Sequence, residues 1–500
     1  MKKYDVILIH PPRLLKQKAG ITGNLIRGAY IFIPMGVFAI ADYLQREGFS
    51  VKIINYPLEL YLNPKWNLKT YLKAIDFDIV GIDLHWVHNA YGAIEVAKVV
   101  KNVNPNARVI LGGSSASYYH REILKYYQSV DGVIKGEGEI PLLRYAKNFQ
   151  NFESLRSIPN LTYRTIENKI KINPIKYVAE SLDNLNFVNV SLLEHAKEYF
   201  ECSRDIMGIS FNLPIGRGCP FNCPFCAGGQ RAQKRLANRN KVTLRSPELV
   251  VQDISYITEK FNVSSVFFGH GAYPSSFKYL KKIFRLIKRE RIEIGGDLEI
   301  WRLPFSREMT EMFSSTFTKK HSSISISPRT TSQRVQRKIQ EVCDPTFSFS
   351  KSQLNALINN SNDYNTTLRI WLTIGVPFQT RLDILKDLKF TLECIIKYGT
   401  SNEKPITIMN EPYYIFPGSP AHEEPEKFGV NIKYNNLPQV VDIFRQTKMS
   451  FFYNVINYDK ENLSATTIKI GNILFFIGAA PMFLTTGSTN SNIHETKRSA

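Results

Sequence analysis

Three cysteines stand in Cys-x3-Cys-x2-Cys spacing within the run Ile215-Gly-Arg-Gly-Cys219-Pro-Phe-Asn-Cys223-Pro-Phe-Cys226. Thiolates so placed can hold three irons of a 4Fe-4S cluster and leave the fourth iron open, which is where chemistry can occur. Pro220 and Pro224 stiffen the loop, and Gly216 and Gly218 let its backbone bend around a bulky inorganic cube. Structural zinc takes four ligands. Neither a Cys nor a His follows within ten residues of Cys226, so a zinc knuckle would have to borrow a distant ligand. The remaining cysteines, Cys202, Cys343 and Cys394, are scattered, which argues against a disulfide framework and for a reducing compartment.

At these residues the chain resembles the radical S-adenosylmethionine (SAM) enzymes, whose signature is this spacing with an aromatic residue, here Phe225, just before the last cysteine. The resemblance implies Cys219, Cys223 and Cys226 as cluster ligands and Phe225 packed near the adenine of SAM. It also implies that the amino and carboxylate groups of SAM chelate the open iron, and that reductive cleavage yields a 5'-deoxyadenosyl radical. An electron donor such as ferredoxin or flavodoxin is then a required partner.

Elements that could position such a loop are visible on both sides of it. Residues 1–150 alternate apolar strand runs (Val6 to His10, Val51 to Tyr56, Ile79 to Leu84, Arg108 to Leu111, Gly132 to Ile134) with helix-period stretches, the order of a Rossmann-like, doubly wound parallel sheet. Ligands of such sheets sit beyond the carboxyl ends of the strands. The segments that fall there are His10-Pro-Pro, Asp83-Leu-His85-Trp86, Gly112 to Ser117 and Lys135-Gly-Glu-Gly-Glu139. This arrangement is similar to the cobalamin-binding (B12-binding) domain that precedes the barrel in one large subgroup of the radical SAM family. The resemblance implies Gly112, Gly113 and Ser115 near the nucleotide tail, and Asp83 and His85 under the corrin. The Asp-x-His-x-x-Gly motif that supplies a lower cobalt ligand elsewhere is missing after the first strand. His85 or Trp86 facing the lower side of the corrin, and both as hydrogen-bonded pocket residues, stay open as alternatives.

Residues 151–205 read as a linker with a small hairpin, and residues 206–425 as a partial (β/α)6 barrel of TIM type. Its strands are expected at Ile209 to Pro214, Ser264 to Phe268, Ile292 to Gly296, Ser323 to Ser327, Leu368 to Val376 and Ile406 to Ile415. From the resemblance, the later strand ends grip SAM: Glu299 and Arg302 at the ribose and a carboxylate, Ser327 and Arg329 at the SAM carboxylate, and Gly375 at the adenine edge. Tyr413, Tyr414 and Phe416 would pack on adenine or substrate. His270 stands where the family often carries an acid. Residues 426–500 read as a mostly helical cap and tail. Within them the uncharged run Ile470 to Leu484 is shorter than the roughly 20 residues of a spanning helix and reads as a buried cap helix or an interfacial element.

The formal charge of +20 over 500 residues draws the chain toward anionic surfaces. Its cations are spread over helices and no RNA-binding module is recognisable, so nucleic acid is not an expected partner, whereas peripheral membrane contact is. The apolar run at Val6 is too short for a signal sequence, which points to the cytoplasm. The N-terminal half lacks the cysteine trio of radical SAM methylthiotransferases. The expected function is a cobalamin-dependent radical SAM methyltransferase acting on an unactivated carbon of a small-molecule or lipid substrate. Carbon-carbon bond formation or cyclisation on a membrane lipid stands as a rival, and a non-enzymatic cobalamin or iron-sulfur sensor or carrier as another.

Overall fold

Val6-Ile-Leu-Ile is apolar on both faces, as a strand between two helix layers must be, and in the computed structural model it forms the buried centre of β1 (Lys2–His10). The structure describes residues 2–13, 31–207, 211–319, 322–344, 346, 348–398, 406–410, 413–446, 456–460, 463–464, 466–468 and 471. They divide into two compact units: Met1–His270 with Ile415–Glu423 and Ile432–Asn454, and Gly271–Tyr414 with Glu424–Asn431 and Val455–Ala500. The boundary after His270 falls inside the stretch 206–425 expected as one domain.

In the first unit, β1 is joined by β2 (Val51–Asn55), β3 (Ile75–Asp83), β4 (Arg108–Gly112), β5 (Gly132–Ile134), β6 (Leu161–Arg164) and β7 (Ile170–Ile172) in a seven-stranded sheet of order β2-β1-β3-β4-β5-β6-β7. The first five are parallel. Helices pack on both faces, among them Gly36–Arg46 and Ala90–Val103, the second burying Ala93, Ile94, Val96, Ala97 and Val100. The order reverses at β1 and β3, so the site-forming crevice of a doubly wound sheet lies beyond His10 and Asp83. β3 starts earlier than its apolar run, because Ile75-Asp-Phe pairs with Lys2-Lys-Tyr where polar side chains still reach water. The expected hairpin is β6 and β7; it extends the sheet antiparallel from β5, since Leu161 and Tyr163 are buried there.

The same unit continues with β8 (Phe211–Leu213), β9 (Gly216–Arg217), β10 (Thr243–Leu244) and β11 (Ser265–Phe268). β9 and β10 pair antiparallel, and β8 and β11 pair parallel. Between them lie the cysteine loop and the helices Gln230–Ala237 and Pro247–Phe261.

The second unit repeats strand and helix: β12 (Gly295–Ile300), β13 (Ser323–Arg329), β14 (Thr367–Leu372) and β15 (Ile406–Asn410), all parallel and paired in sequence order. With β8 and β11 of the first unit, β12 to β15 number the six strands expected. β12 begins later than Ile292, because Arg291 is left-handed (φ 54°) and the Ile292 N–H bonds Ile287 O (3.1 Å), which ends the preceding helix. β14 stops before Gly375, whose φ of 104° breaks the strand. The helix Arg307–Thr316 was not expected from sequence; Ser306 caps it and Met309, Thr310 and Phe313 are buried. Past Glu424 the described residues hold the helix Leu437–Gln446 and short strands Val430–Ile432 and Tyr458–Lys460. The apolar run 470–484 lies outside the described residues apart from Gly471. No described helix is long and apolar enough to cross a membrane.

Candidate cofactor-binding sites

The loops after β1, β3 and β4 meet at the carboxyl edge of the first sheet. His10 Nδ1 lies 2.8 Å from Asp83 Oδ1, with both side chains buried, and the second carboxylate oxygen of Asp83 is buried without a hydrogen-bond partner. Trp86 is exposed and stands edge-on to the rings of His85 and His10, at centroid distances of 5.1 and 6.3 Å. Gly113 has φ 101°, and a Cβ there would fall 2.7 Å from His85 N, so only glycine lets the two loops approach. Ser115 Oγ donates to His85 O (3.0 Å), and Ser114 Oγ is 3.3 Å from His85 Nδ1. Ser117 Oγ donates to Gly113 O and accepts from Gly136 N, each at 2.8 Å.

Burial lowers the His85 pKa, opposed by the Asp83 charge and reinforced by His10. His88 is held well below its ordinary value by burial and then by Arg13, and its ring meets Phe416 and Phe444 edge-on. Both imidazoles are therefore neutral at physiological pH, the form that can ligate a metal. Asp83, His85, Gly113 and Ser115 thus share one locale. The serine and glycine are spent on joining its two loops, and the Gly112 Cβ position is nearly open, with Ile134 O at 3.9 Å.

The cysteine loop is framed by backbone bonds, two of them from distant sequence. Phe416 N–H donates to Phe225 O (3.1 Å), Ala421 N–H to Pro224 O (2.8 Å) and Gln230 N–H to Phe221 O (2.8 Å). His270 Nε2 lies 3.1 Å from Gly218 O, so this histidine tethers the loop. The segment carrying Phe416 is itself anchored: Arg235 pairs with Glu423, and Tyr118 OH lies 3.4 Å from His422 Nδ1. Burial alone would raise the Glu423 pKa, but hydrogen bonds from His422 and Arg235 hold it at about 2. All three cysteines are half-buried thiols, and Gly228 N–H points at Cys226 Sγ (3.2 Å), the kind of bond that stabilises a thiolate and tunes a cluster. Among the described residues, no three His, Cys, Asp or Glu side chains are grouped as a single metal ion requires. Three thiols on one framed, partly open loop suit an iron-sulfur cluster in donor type and access.

Two glutamates of the loop after β5 reach the strand that leads into Cys219. Arg217 bonds Glu137 Oε2 at 3.0 Å and Glu139 Oε1 at 2.6 Å. Arg239 bonds Glu137 Oε1 through Nε (2.7 Å) and also Ala179 O and Thr243 Oγ1. Side-chain exposure is 8% for Glu137, 1% for Glu139 and 2% for Arg239, so this is a buried, charge-balanced network. Burial would lower the Arg217 pKa, yet the carboxylates of Glu139 and Glu137 raise it on balance. Gly136, at φ 66°, allows the approach: a Cβ would fall 2.9 Å from Ala237 Cα. Reading the sequence alone missed these pairs, which link residues 78 and 80 positions apart; the only signal was two acids in a glycine setting at a strand end.

In the second unit, Glu299 accepts from Ser327 Oγ (3.1 Å) and Trp301 Nε1 (3.2 Å), and Trp301 stacks on Tyr273 with its ring plane 3° from parallel. Gly271 is required there, because a Cβ would overlap the Trp301 ring. Arg302 is exposed. Arg329 occupies the left-handed region (φ 63°) at a register shift between β13 and β14, with its Nη1 3.5 Å from Thr373 Oγ1. The space before Gly375 is taken by Tyr458, whose hydroxyl donates to Gly375 O (2.8 Å). Tyr413 stands edge-on to that same Tyr458 ring. Deeper in β12, Asp297 is buried against Arg369 (2.6 Å) and Ser323 (2.5 Å); burial raises its pKa, and Arg369 opposes the shift.

Comparison with known proteins adds to this geometry. Residues 21–146 match the B12 binding domain and residues 213–388 the Radical SAM superfamily. An uncharacterized methyltransferase of Pyrococcus horikoshii is 26% identical over 59% of this chain and 59% of its own length. The hopanoid C-3 methylase of Methylococcus capsulatus is 24% identical over 44% of this chain and 39% of its own. The chain thus spans less than two thirds of either relative. Among solved structures, the radical SAM methyltransferase TsrM of Kitasatospora setae, with cobalamin and a 4Fe-4S cluster bound, superposes with a TM-score of 0.63 at 14% identity, covering 87% of this chain and 77% of that one. OxsB, a cobalamin-dependent SAM radical enzyme with aqua-cobalamin bound, gives 0.56 at 13% identity over 95% of this chain and 61% of that one. The fold is theirs. With the cysteine loop inside the second matched region and Asp83, His85 and Gly112 to Ser117 inside the first, the chain carries a B12-binding domain followed by a Radical SAM domain and is homologous to cobalamin-dependent radical SAM methyltransferases.

Proposed function

We propose that this protein is a cobalamin-dependent radical SAM methyltransferase acting on an unactivated carbon of a small-molecule or lipid substrate. The observation that carries the reading is one chain in which a B12-binding match precedes a Radical SAM match, with Cys219, Cys223 and Cys226 on a framed, half-buried loop. When bound, cobalamin would supply a methyl carrier and the cluster an electron for SAM cleavage. The chain's own part is to ligate the cluster through the three cysteines and to present Phe225, held through its carbonyl by Phe416 N–H, near the adenine of SAM. It would also receive the corrin along Asp83, His85, Gly112, Gly113 and Ser115. Glu299, Ser327, Arg302 and Arg329 are the proposed SAM contacts, with Gly375 at the adenine edge. In this reading residues 1–150 form the cobalamin domain, 151–205 the linker, 206–425 the radical SAM domain and 426–500 a cap, working in the cytoplasm with a ferredoxin or flavodoxin donor.

The test is anaerobic reconstitution with iron, sulfide, cobalamin, SAM and a strong reductant, followed by mass spectrometry. Formation of 5'-deoxyadenosine together with S-adenosylhomocysteine supports methyl transfer, and a product heavier by one CH2 completes it. A second reading, ring closure or coupling, draws on the anaerobic magnesium-protoporphyrin IX monomethyl ester cyclase of Rubrivivax gelatinosus, 26% identical over 52% of this chain and 43% of its own. Deoxyadenosine without S-adenosylhomocysteine, and a product lighter by two hydrogens, would favour it. Cofactor binding with neither nucleoside product would leave a sensor or carrier.

A further inference from the structure

The helix Arg381–Tyr398 is built inside out. Its buried face carries Asp383, Asp387, Thr391 and Cys394, at helical spacing. These polar side chains are committed: Asp387 accepts from Thr330 Oγ1, Thr331 N–H and Gln379 Nε2, and Asp383 from Ser332 Oγ, Thr380 N–H and Arg334. Rotating the helix would strip buried carboxylates of these partners, at a cost no solvent-exposed contact repays. The opposite face is therefore fixed toward the outside, and it is apolar. Leu382, Leu385, Leu392 and Ile396 are 69, 59, 59 and 83% exposed. At about 100° per residue they fall within one stripe, with Lys389 among them.

Charge says what this stripe meets. Arg381, Lys386, Lys389 and Lys397 are exposed along the helix, whereas Glu393 is its one exposed acid, since both aspartates point inward. The whole chain carries +20. An apolar stripe bordered by cations is the pattern of a helix that lies in the interface of an anionic bilayer, its aliphatic side chains among the acyl chains and its cations at the headgroups. We propose that the helix Arg381–Tyr398 docks the protein, as a peripheral contact, on an anionic lipid surface. The docking needs no cofactor, so its failure and the failure of the methyltransferase reading are separable.

The test is vesicle flotation of the full-length protein, with vesicles of phosphatidylcholine alone and of phosphatidylcholine mixed with phosphatidylglycerol. Binding is expected to the mixed vesicles only, and to fall as salt rises. The triple variant Leu385→Ser, Leu392→Ser, Ile396→Ser should lose at least about tenfold in partitioning, since three aliphatic side chains leave the lipid. Lys386→Gln with Lys389→Gln should lose the preference for the anionic vesicles. Because these side chains are exposed, far-UV circular dichroism and melting of both variants should match the parent. Absence of flotation, flotation unchanged in the triple variant, or a dimer by light scattering that the triple variant turns into monomer without any lipid binding would overturn the proposal.

Discussion

Replacing Arg217 by methionine probes how the cysteine loop is held. The substitution keeps the aliphatic stem but removes the guanidinium, which faces the Phe187 ring and bonds Glu137 and Glu139. Glu137 retains Arg239 and the Ala179 N–H. Glu139, 1% exposed and with its other oxygen already lacking a partner, is left as a buried, uncompensated charge. Removing one member of a buried pair costs about 3–5 kcal/mol, which at about 2.1 cal/mol/K per residue over the first unit is a loss of about 5–8 °C in melting temperature. The double variant Arg217→Met, Glu139→Gln removes the stranded charge and should recover about 1–3 kcal/mol of that loss. Thermal and urea melts of the cofactor-free protein, read by circular dichroism, give the cycle. Iron bound after reconstitution should fall in the single variant, because Arg217 stands two residues before Cys219. A single-variant cost below about 1 kcal/mol, or a double variant whose losses simply add, would refute the reasoning.

Other outcomes follow from the same geometry. Alanine at Cys219, Cys223 or Cys226 should abolish cluster loading, read as lost iron, sulfide and visible absorbance, while serine at Cys202, Cys343 or Cys394 should leave loading intact. His120 is half-buried beside Thr162 Oγ1 (2.9 Å), and burial, with Lys135 and Arg121 adding, lowers its pKa from 6.5 to about 4. The unfolded chain then binds the proton first, so stability present above pH 6.5 should be lost as pH falls toward 4, and His120→Gln should flatten that slope in urea midpoints. Gly375→Ala should destabilise by more than about 1 kcal/mol, since alanine meets both φ 104° and the Tyr458 hydroxyl; Tyr458→Phe in the same background should relieve only the overlap. Glu299→Gln should weaken SAM binding, measured by calorimetry on reconstituted protein, without changing iron content.

What could be read from the sequence was local. The cysteine spacing lies within eight residues, and strands such as Val6 to His10 or Ser265 to Phe268 announce themselves because both their faces are buried. Pairings across long stretches of chain could not be read. The bonds of Glu137 and Glu139 to Arg217, of Asp83 to His10 and of Gly218 O to His270 link residues 52 to 80 apart, and nothing in the composition selects one partner among many. Element ends were misplaced where a single left-handed residue ends a helix or strand, as at Arg291 and Gly375. The helix Arg307–Thr316 was missed because its polar positions outnumber its buried ones, Met309, Thr310, Phe313 and Thr316. The glycine and serines after β4 were legible as a turn, but their role in fixing the His85 backbone depends on a loop from another strand.

The bonds from Phe416 and Ala421 onto Phe225 and Pro224 set an order of events in biosynthesis. A nascent chain that has just emitted its thiols lacks nearly two hundred residues of what later clasps them, and through that interval they would be exposed to oxidants and stray metals. Iron and sulfide delivery should therefore belong to the finished polypeptide, and a fragment ending at Asn410 should take up iron poorly however long it is incubated.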